Sequence, residues 1–213
     1  MKISHVIWDW NGTLVNDADL CVEIVNELLV EFDQKPINIK FYLDNFEFPV
    51  KNFYRKIGLP TTLKLYDYLS NNFIQSYRER YILCQLQLGA LKCISKLCSF
   101  NISQSVLSAG MQSDLDIFIK HFQLTKYFNT VNGVNDIHAS GKLDLGIRHV
   151  NQISSHKSQI LLIGDTLHDA EIAQNIGVKC LLYSGGHNSK LLLRQSGFPI
   201  IHTLSEVLPF LIS

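Results

Sequence analysis

The stretch that decides the fold is ISHVIWDWNGTL, residues 3–14. Ile3 to Trp8 make a short, mostly apolar segment that is typical of a buried strand, and Asp9 follows it directly. Gly12 allows the backbone to turn tightly after the strand and to approach a ligand closely. A carboxylate at the end of a buried strand is costly unless a cation neutralises it, so Asp9 marks a candidate functional site.

Strand-like and helix-like segments alternate along most of the remaining chain. Short apolar strands that are separated by helices predict a parallel sheet with helices on both faces, a three-layer, Rossmann-like α/β core. The expected strands are residues 102–108, a short one near Val131, 160–163 and 178–183, and the expected helices include 143–153 and 170–176, the last ended by Gly177.

A block with a different composition interrupts this alternation. Residues 36–89 are rich in aromatic and amide side chains and show no period-two pattern, which favours helices, one of them over residues 61–81. An earlier helix, with Asn16 or Asp17 as its cap, is indicated by an apolar stripe at Leu20, Ile24, Leu28 and Phe32. We therefore expect a core domain from residues 1–16 and 88–213 and a small helical cap domain from residues 17–87.

The composition excludes several classes of protein. Lysine and arginine number 19, and aspartate and glutamate also number 19, so no global charge favours nucleic acid or an anionic membrane. No stretch is apolar and long enough to span a bilayer, and no secretory signal pattern is present. No two cysteines form a CxxC pair, which argues against a structural zinc site. These features favour a cytoplasmic protein, monomeric or homodimeric.

Polar residues follow four of the predicted elements at positions that suit phosphoryl transfer. Ligands of parallel α/β sheets bind at the carboxyl ends of the strands, where Asp9, Ser108 and Asp165 lie. Asp9 and Asp165 supply the hard oxygen ligands that Mg²⁺ prefers, while Ser108 and Lys142 are able to hold phosphate oxygens. The carboxylate of Asp9 is also a possible nucleophile, because a covalent intermediate divides one difficult step into two.

The order and spacing of these residues resemble the haloacid dehalogenase superfamily, most closely its phosphoglycolate-phosphatase-like branch. The family's DxDGT motif matches residues 9–13, and its strand-terminal Ser or Thr matches Ser108. Its lysine matches Lys142, and its GDxxxD motif matches residues 164–169. A helical cap inserted between the first two motifs is also usual in this family. The resemblance extends over essentially the whole chain.

The resemblance implies a Mg²⁺-dependent phosphatase of a small phosphorylated metabolite. Asp9 would be the nucleophile, and Mg²⁺ would be bound by Asp9, Asp165 and the backbone carbonyl of Asn11. Asp169 would orient Lys142 or a metal-bound water. The phosphoryl group would be held by a set of residues from three motifs, with Thr13 in a supporting role: Asn11, Gly12, Ser108, Ala109 and Lys142.

One residue departs from the family pattern. The family's phosphatases have a second aspartate two residues after the nucleophile, which acts as the general acid and base, whereas this chain has Asn11. An amide cannot relay a proton near neutral pH. Three consequences are open: a substrate whose leaving group needs no proton, such as an acyl phosphate; a substitute acid, for which His168 is the candidate; or slow turnover.

Other functions are compatible with the same residues. A protein that binds phosphate without turnover, a phosphotransferase and a hydrolase of a non-phosphate substrate would all keep Asp9. In the predicted cap, Arg55 and Lys56 would either reach a substrate anion or form an ordinary solvated pair. His187, which follows two glycines, is expected near the rim of the site rather than inside it.

Overall fold

The centre of the molecule is a parallel β-sheet. The computed structural model describes residues 2–138 and 141–212. Its strands are β1 (His5–Trp8), β2 (Val15–Asn16), β3 (Gln85–Leu86), β4 (Ser103–Met111), β5 (Thr130–Val134), β6 (Ile160–Gly164), β7 (Lys179–Tyr183) and β8 (Ile200–Ile201). Six of them form one sheet in the order β5-β4-β1-β6-β7-β8, and every neighbouring pair is parallel. The predicted α/β fold with a parallel sheet is confirmed.

Helices cover both faces of this sheet. Within the described residues they are α1 (Ala18–Glu31), α2 (Ile39–Asn45), α3 (Val50–Lys56), α4 (Leu63–Arg80), α5 (Ala90–Ser99), α6 (Gln112–His121), α7 (Lys142–Asn151), α8 (Leu167–Ile176), α9 (Lys190–Leu193) and α10 (Val207–Ile212). Val6 and Trp8 of β1 belong to the hydrophobic core formed with α5 and α6, whereas Ile7 belongs to the core formed with α7 and α8. Because successive strand residues point to opposite faces, the short β1 contributes to both cores.

The register of the central strands aligns their carboxyl ends. Trp8, the last residue of β1, lies opposite Val106 of β4 and Ile163 of β6. The residues that follow these positions therefore meet at one edge of the sheet, as expected for a ligand site in a parallel α/β fold. Asp9 continues the alignment, since its backbone N–H donates to the carbonyl of Ile163 at 2.9 Å.

A short antiparallel ribbon connects the segment that contains the helices α1 to α4 to the rest of the chain. Its strands β2 and β3 pair through Val15 with Leu86 and through Asn16 with Gln85. The sequence did not predict this ribbon, because two residues are too few to show an alternating pattern. The segment between the two strands is helical, as predicted, but the expectation that residues 17–87 form a separate cap domain stays a prediction.

Most of the predicted bounds are close to those observed. The helix expected over residues 61–81 is α4, and the helix ended by Gly177 is α8, which begins three residues earlier than expected. Asp17 occupies the N-cap position of α1, one of the two positions expected, but its side chain makes no capping hydrogen bond. Across residues 2–138 and 141–212, no helix combines the length and apolarity that a bilayer crossing requires.

Candidate active site

A lysine lies between two carboxylates at the carboxyl edge of the sheet. Lys142 is the first residue of α7 and is almost fully buried. Its Nζ donates a hydrogen bond to Asp9 and another, of 2.6 Å, to Oδ1 of Asp169. Burial alone would lower the pKa of Lys142, but the charges of Asp169 and Asp9 outweigh burial and raise it. The ammonium group is therefore charged at neutral pH, and it fixes the position of Asp9.

Three buried carboxylates lie together at this edge, and two of them, Asp9 and Asp169, contact Lys142. One oxygen from each of Asp9, Asp165 and Asp169 lies within 4.8 Å of the others. Burial raises the pKa of Asp9 well above its ordinary value, and the charges of Asp169 and Asp165 raise it further, while Lys142 opposes them. Burial also raises the pKa of Asp165, to about 6. Three carboxylates against one ammonium leave an excess of negative charge, which a divalent cation would balance.

The donor set fits Mg²⁺ in its chemistry. Mg²⁺ prefers hard oxygen ligands, usually one or two carboxylates together with water and substrate phosphate. Asp9 and Asp165 follow neighbouring strands and present such oxygens at the same edge. Asp169 has less freedom, because its Oδ1 accepts from Lys142 and its Oδ2 accepts from the Thr166 hydroxyl at 2.7 Å. The geometry therefore favours Asp9 and Asp165 as direct ligands and Asp169 as a positioning residue.

The side chain of Asp165 is held in place by the turn after β1 and by a later loop. Its Oδ1 accepts from the hydroxyl of Thr13 at 2.6 Å, and its Oδ2 accepts from the backbone N–H of His187, also at 2.6 Å. Gly12 has a φ of +77°, and a Cβ atom there would lie 2.3 Å from Oδ2 of Asp165. A glycine is thus required at position 12 by its conformation and by the close approach of Asp165.

Asn11 is anchored by a buried carboxylate that the sequence did not single out for this role. Its Nδ2 donates to Oδ2 of Asp17 at 2.6 Å and to the hydroxyl of Tyr77 at 2.9 Å. Asp17 also accepts from the N–H of Gly12 at 2.8 Å and lies 3.3 Å from Nε2 of His187. Burial opposes ionisation of Asp17, yet His187 and these hydrogen bonds lower its pKa. Asp17 therefore fixes Asn11 instead of capping α1.

A cavity opens between this edge of the sheet and the helices α1 to α4. It has a volume of about 190 Å³. The predicted nucleophile and four of the predicted phosphate-binding residues line it: Asp9, Asn11, Ser108, Ala109 and Lys142. Gly12 and Asp165 are not among its lining residues, and neither is Thr13. Ser108 is buried, and its Oγ accepts from the N–H of Gly110 at 2.9 Å, which leaves the hydroxyl hydrogen available to an anion.

Two histidines are placed differently from what the sequence suggested. His168 is not among the residues that line this cavity; its ring stacks on Phe48 with centroids 4.8 Å apart. The geometry therefore gives no support to His168 as the substitute acid. His187, expected near the rim, is buried and lines the cavity. Its contacts with Asp17 and Asp165 join residues far apart in the chain, which no local pattern reveals.

The chain matches one known family over most of its length. Residues 6–183 match the model of a family described as haloacid dehalogenase-like hydrolase. A phosphoglycolate phosphatase of Synechococcus elongatus is 21% identical over 193 residues, which cover 87% of this chain and 85% of that protein. A phosphoglycolate phosphatase of Pseudomonas fluorescens is 20% identical and covers 96% of this chain and 78% of its own length.

Solved structures share the fold at lower sequence identity. A haloacid dehalogenase-like family hydrolase from Streptococcus pneumoniae superposes with a TM-score of 0.77 at 19% identity, covering 98% of each chain. A protein described as a predicted phosphatase, from Clostridium acetobutylicum, gives a TM-score of 0.84 at 16% identity and covers 100% of this chain and 99% of its own. At these identities the similarity extends to the fold.

Proposed function

The chain belongs to the haloacid dehalogenase-like hydrolase family, and on this premise we propose that it hydrolyses phosphate esters of small metabolites with Asp9 as the nucleophile. The observation that carries the proposal is the meeting of Asp9, Ser108 and Lys142 on the wall of one cavity. The relatives named phosphoglycolate phosphatase support phosphate ester hydrolysis as the reaction class. We further propose a cytoplasmic monomer or homodimer, whose mass light scattering would measure.

Mg²⁺ is the proposed cofactor. Its ligands would be a carboxylate oxygen of Asp9, the backbone carbonyl of Asn11 and a carboxylate oxygen of Asp165. When bound, the ion would offset the negative charge of the phosphoryl group and of the buried carboxylates. Thr13 and the backbone of His187 hold Asp165 in position for this task.

The chain's own residues suit a two-step displacement. A carboxylate oxygen of Asp9 forms a bond to phosphorus while the bond from phosphorus to the substrate's leaving oxygen breaks; a leaving alkoxide takes its proton from water, whereas a leaving carboxylate takes none. Water then attacks the phosphorus, which releases phosphate and restores the Asp9 carboxylate. Lys142 and the hydroxyl of Ser108 donate to the phosphoryl oxygens in both steps and stabilise the charge that develops there.

Asn11 shapes the kinetics of this reaction. Losing general acid and base assistance typically lowers a rate by about 10²- to 10⁴-fold. The side-chain amide of Asn11 donates to Asp17 and Tyr77 and has no proton to give to a leaving alkoxide. We therefore expect acyl phosphates, whose leaving groups need no proton, to react faster than alkyl phosphates.

The decisive experiment measures phosphate release with Mg²⁺ from acetyl phosphate and p-nitrophenyl phosphate. We expect turnover by the wild type and a loss of at least about 10⁴-fold in Asp9→Asn, because the nucleophile is removed. Asp19→Asn, which removes an exposed carboxylate of α1, is the matched control and should keep the wild-type rate. Release that persists in Asp9→Asn would contradict the proposed nucleophile.

A second set of variants tests the role of Asn11. The side-chain amide of Asn11 lies 2.6 Å from Oδ2 of Asp17. Asn11→Asp alone would therefore put two carboxyl groups in contact, and the two acids would compete for one proton. The double variant Asn11→Asp/Asp17→Asn removes this conflict. We expect it to hydrolyse alkyl phosphates about 10²-fold faster than the wild type, and the single variant to gain less. Equal rates in all three proteins would show that position 11 does not limit turnover.

A further inference from the structure

The part of the cavity that lies beyond Asp9 and Lys142 is aromatic and apolar. Half-buried side chains of the α2–α3 loop and of α4 line it together with fully buried ones: Phe46, Phe48, Phe53, Tyr54, Phe73 and Ile74. Partial exposure of an apolar side chain that lines a cavity means that part of its surface is left for a ligand to cover. This surface is where the organic part of a substrate would lie once its phosphoryl group is at Asp9.

This part of the cavity offers no spare cation. Among the described residues that line it, Lys142 is the only lysine or arginine, and it already donates to Asp9 and Asp169. Two further carboxylates, those of Asp114 and Asp136, line the same cavity. These two residues therefore add no positive charge that a second anionic group of a substrate could meet.

The two histidines of the cavity are also engaged. Nδ1 of His187 bonds to the hydroxyl of Tyr42 at 3.0 Å, and its Nε2 lies 3.3 Å from Asp17. Nδ1 of His138 lies 3.5 Å from the hydroxyl of Ser70, and its Nε2 lies 3.0 Å from Asp67. Since both nitrogens of each ring have partners, neither imidazole is free to receive a carboxylate.

Three cations of the neighbouring helices contact other groups. Arg55 and Lys56, which the sequence offered as contacts for a substrate anion, are exposed and do not line the cavity. Lys56 pairs with Glu47 at 3.0 Å, and Arg55 donates to Asn52 at 3.2 Å. Arg78 of α4 pairs with Asp114 at 2.8 Å, which neutralises that acid instead of leaving a free cation.

From this distribution of charge we propose that the substrate's organic group is neutral, apolar and about the size of one aromatic ring, and that phosphoglycolate is a poor substrate. The inference rests on the proposed function for the position of the phosphoryl group. An unpaired carboxylate is expensive to bury, whereas a ring gains by covering apolar surface. One ring is the upper limit, since the cavity of about 190 Å³ must also hold the phosphoryl group and a cavity of about 150 Å³ accepts benzene.

The test compares three esters of primary alcohols, whose leaving groups are similar: benzyl phosphate, ethyl phosphate and phosphoglycolate. Phosphoglycolate has a carboxylate where ethyl phosphate has a methyl group, and benzyl phosphate has an aromatic ring at the same position. We expect kcat/KM to fall in the order benzyl, ethyl, phosphoglycolate, with roughly 100-fold between the first and the last. An equal or higher kcat/KM for phosphoglycolate would overturn the proposal.

A variant with an added cation checks that the missing charge sets this preference. Ile74→Arg places a guanidinium on the cavity wall, while Ile117→Arg makes the same change at an exposed position of α6. We expect the ratio of kcat/KM for phosphoglycolate to that for benzyl phosphate to rise at least about tenfold in Ile74→Arg. The ratio should not change in Ile117→Arg. No rise in Ile74→Arg, provided that the variant keeps its wild-type circular dichroism spectrum, would count against the proposal.

Binding to a protein without the nucleophile separates this inference from the proposed function. Calorimetry of Asp9→Asn with Mg²⁺ should give a Kd for benzyl phosphate at least about tenfold below that for phosphoglycolate. If this selectivity is found but the wild type releases no phosphate, the proposed function fails and the ligand preference stands. If the wild type turns over without any such selectivity in binding or in kcat/KM, the ligand preference fails alone.

Discussion

Two clusters of buried polar side chains lie on the same central strands, and they differ in charge. The first cluster, at the carboxyl edge, contains Asp9, Asp165, Asp169 and Lys142, three acids against one base. The second, the histidine cluster, lies at β1, β4, β5 and α7 and contains side chains that are neutral or become so by burial: His5, Ser103, Ser105, Asn132 and His149.

The hydrogen bonds of the histidine cluster form one continuous series. The amide nitrogen of Asn132 donates to Nδ1 of His149 at 2.8 Å, so the proton of this ring is on Nε2, which donates to Ser105 at 2.7 Å. The Ser105 hydroxyl is then left to donate to Nε2 of His5 at 2.7 Å, and Nδ1–H of His5 donates to Ser103 at 2.7 Å. Every donor has an acceptor, with both rings neutral.

A structural polar cluster differs from a functional one in whether its charges and hydrogen bonds are satisfied within the protein. The histidine cluster is satisfied within the protein, so nothing needs to bind there. The cluster at the carboxyl edge keeps an excess of buried negative charge that Lys142 and His187 offset only in part, and burial together with the neighbouring carboxylates raises the pKa values of Asp9 and Asp165. An unbalanced buried charge beside a cavity indicates a site for a ligand.

Removing one member of each cluster should have opposite effects, and this is the largest difference that we predict. Asp9→Asn should abolish phosphate release and yet raise the free energy of unfolding in metal-free buffer by on the order of 1 kcal/mol, because it removes excess buried charge. Ser105→Ala should keep the activity and lower the free energy of unfolding by about 1–3 kcal/mol, because it leaves Nε2 of His5 and Nε2 of His149 without a partner. Urea unfolding and phosphate release measure both.

Changes of the opposite sign in stability or activity would contradict this division between the two clusters. A loss of stability in Asp9→Asn, or a loss of activity in Ser105→Ala without unfolding, would mean that the two clusters do not divide structure and function in this way. Ser158→Ala, which changes a serine beside the exposed His156, serves as the control for the loss of a serine hydroxyl near a histidine at the surface. It should change neither quantity beyond about 0.5 kcal/mol.

The sequence predicted one of these clusters and not the other, for a physical reason. Asp9, Lys142, Asp165 and Asp169 each stand in a local pattern, at a strand end or a helix start, and the alignment of parallel strands brings such positions together. His5 and His149 lie inside elements at positions that look like any other residue of a strand or helix. Their pairing depends on side-chain directions across β1, β4 and α7, which only the packed fold determines.

The same limit applies to Asp17. Its place before an apolar stripe correctly predicted a helix start, and acids are favoured there. Its hydrogen bond with Tyr77, in contrast, depends on α4, which brings a residue 60 positions later in the chain into contact with the site. Local patterns therefore predict which residues meet at the carboxyl edge, while the residues that hold them in place come from distant parts of the chain.

The addition of Mg²⁺ should affect the cluster at the carboxyl edge and not the histidine cluster. Mg²⁺ should raise the Tm of the wild type, because an ion that binds only the folded state stabilises that state. The gain in the free energy of unfolding is about 2.7 kcal/mol when the Mg²⁺ concentration is 100 times the Kd. Asp165→Asn should lose most of this shift, since it removes a proposed ligand. Ser105→Ala should start from a lower Tm but show the full shift. Differential scanning fluorimetry with EDTA and with Mg²⁺ tests this, and a wild type that does not respond would contradict the proposed metal site.

Acidification should act on the histidine cluster with a predictable sign. Burial lowers the pKa of His5 to about 4, with a contribution from the charge of His149, and burial lowers the pKa of His149 to about 4. Between pH 6.5, the ordinary pKa, and pH 4, the unfolded chain binds protons that the folded protein does not. The free energy of unfolding should therefore fall as the pH falls, by about 1.4 kcal/mol per pH unit for each histidine.

A comparison of variants isolates this effect from the acids, whose raised pKa values give the opposite slope. In buffer with Mg²⁺, His149→Gln should be less stable than the wild type at pH 7 by about 1 kcal/mol, because a glutamine restores only part of the hydrogen bonding. The gap should close before pH 5 and be reversed at pH 5, because proton uptake by His149 on unfolding costs the wild type about 2 kcal/mol by then and costs the variant nothing. His156→Gln, which makes the same change at an exposed site, is the control for the substitution itself. A gap that stays constant from pH 7 to pH 5 would show that His149 is not held neutral by the fold.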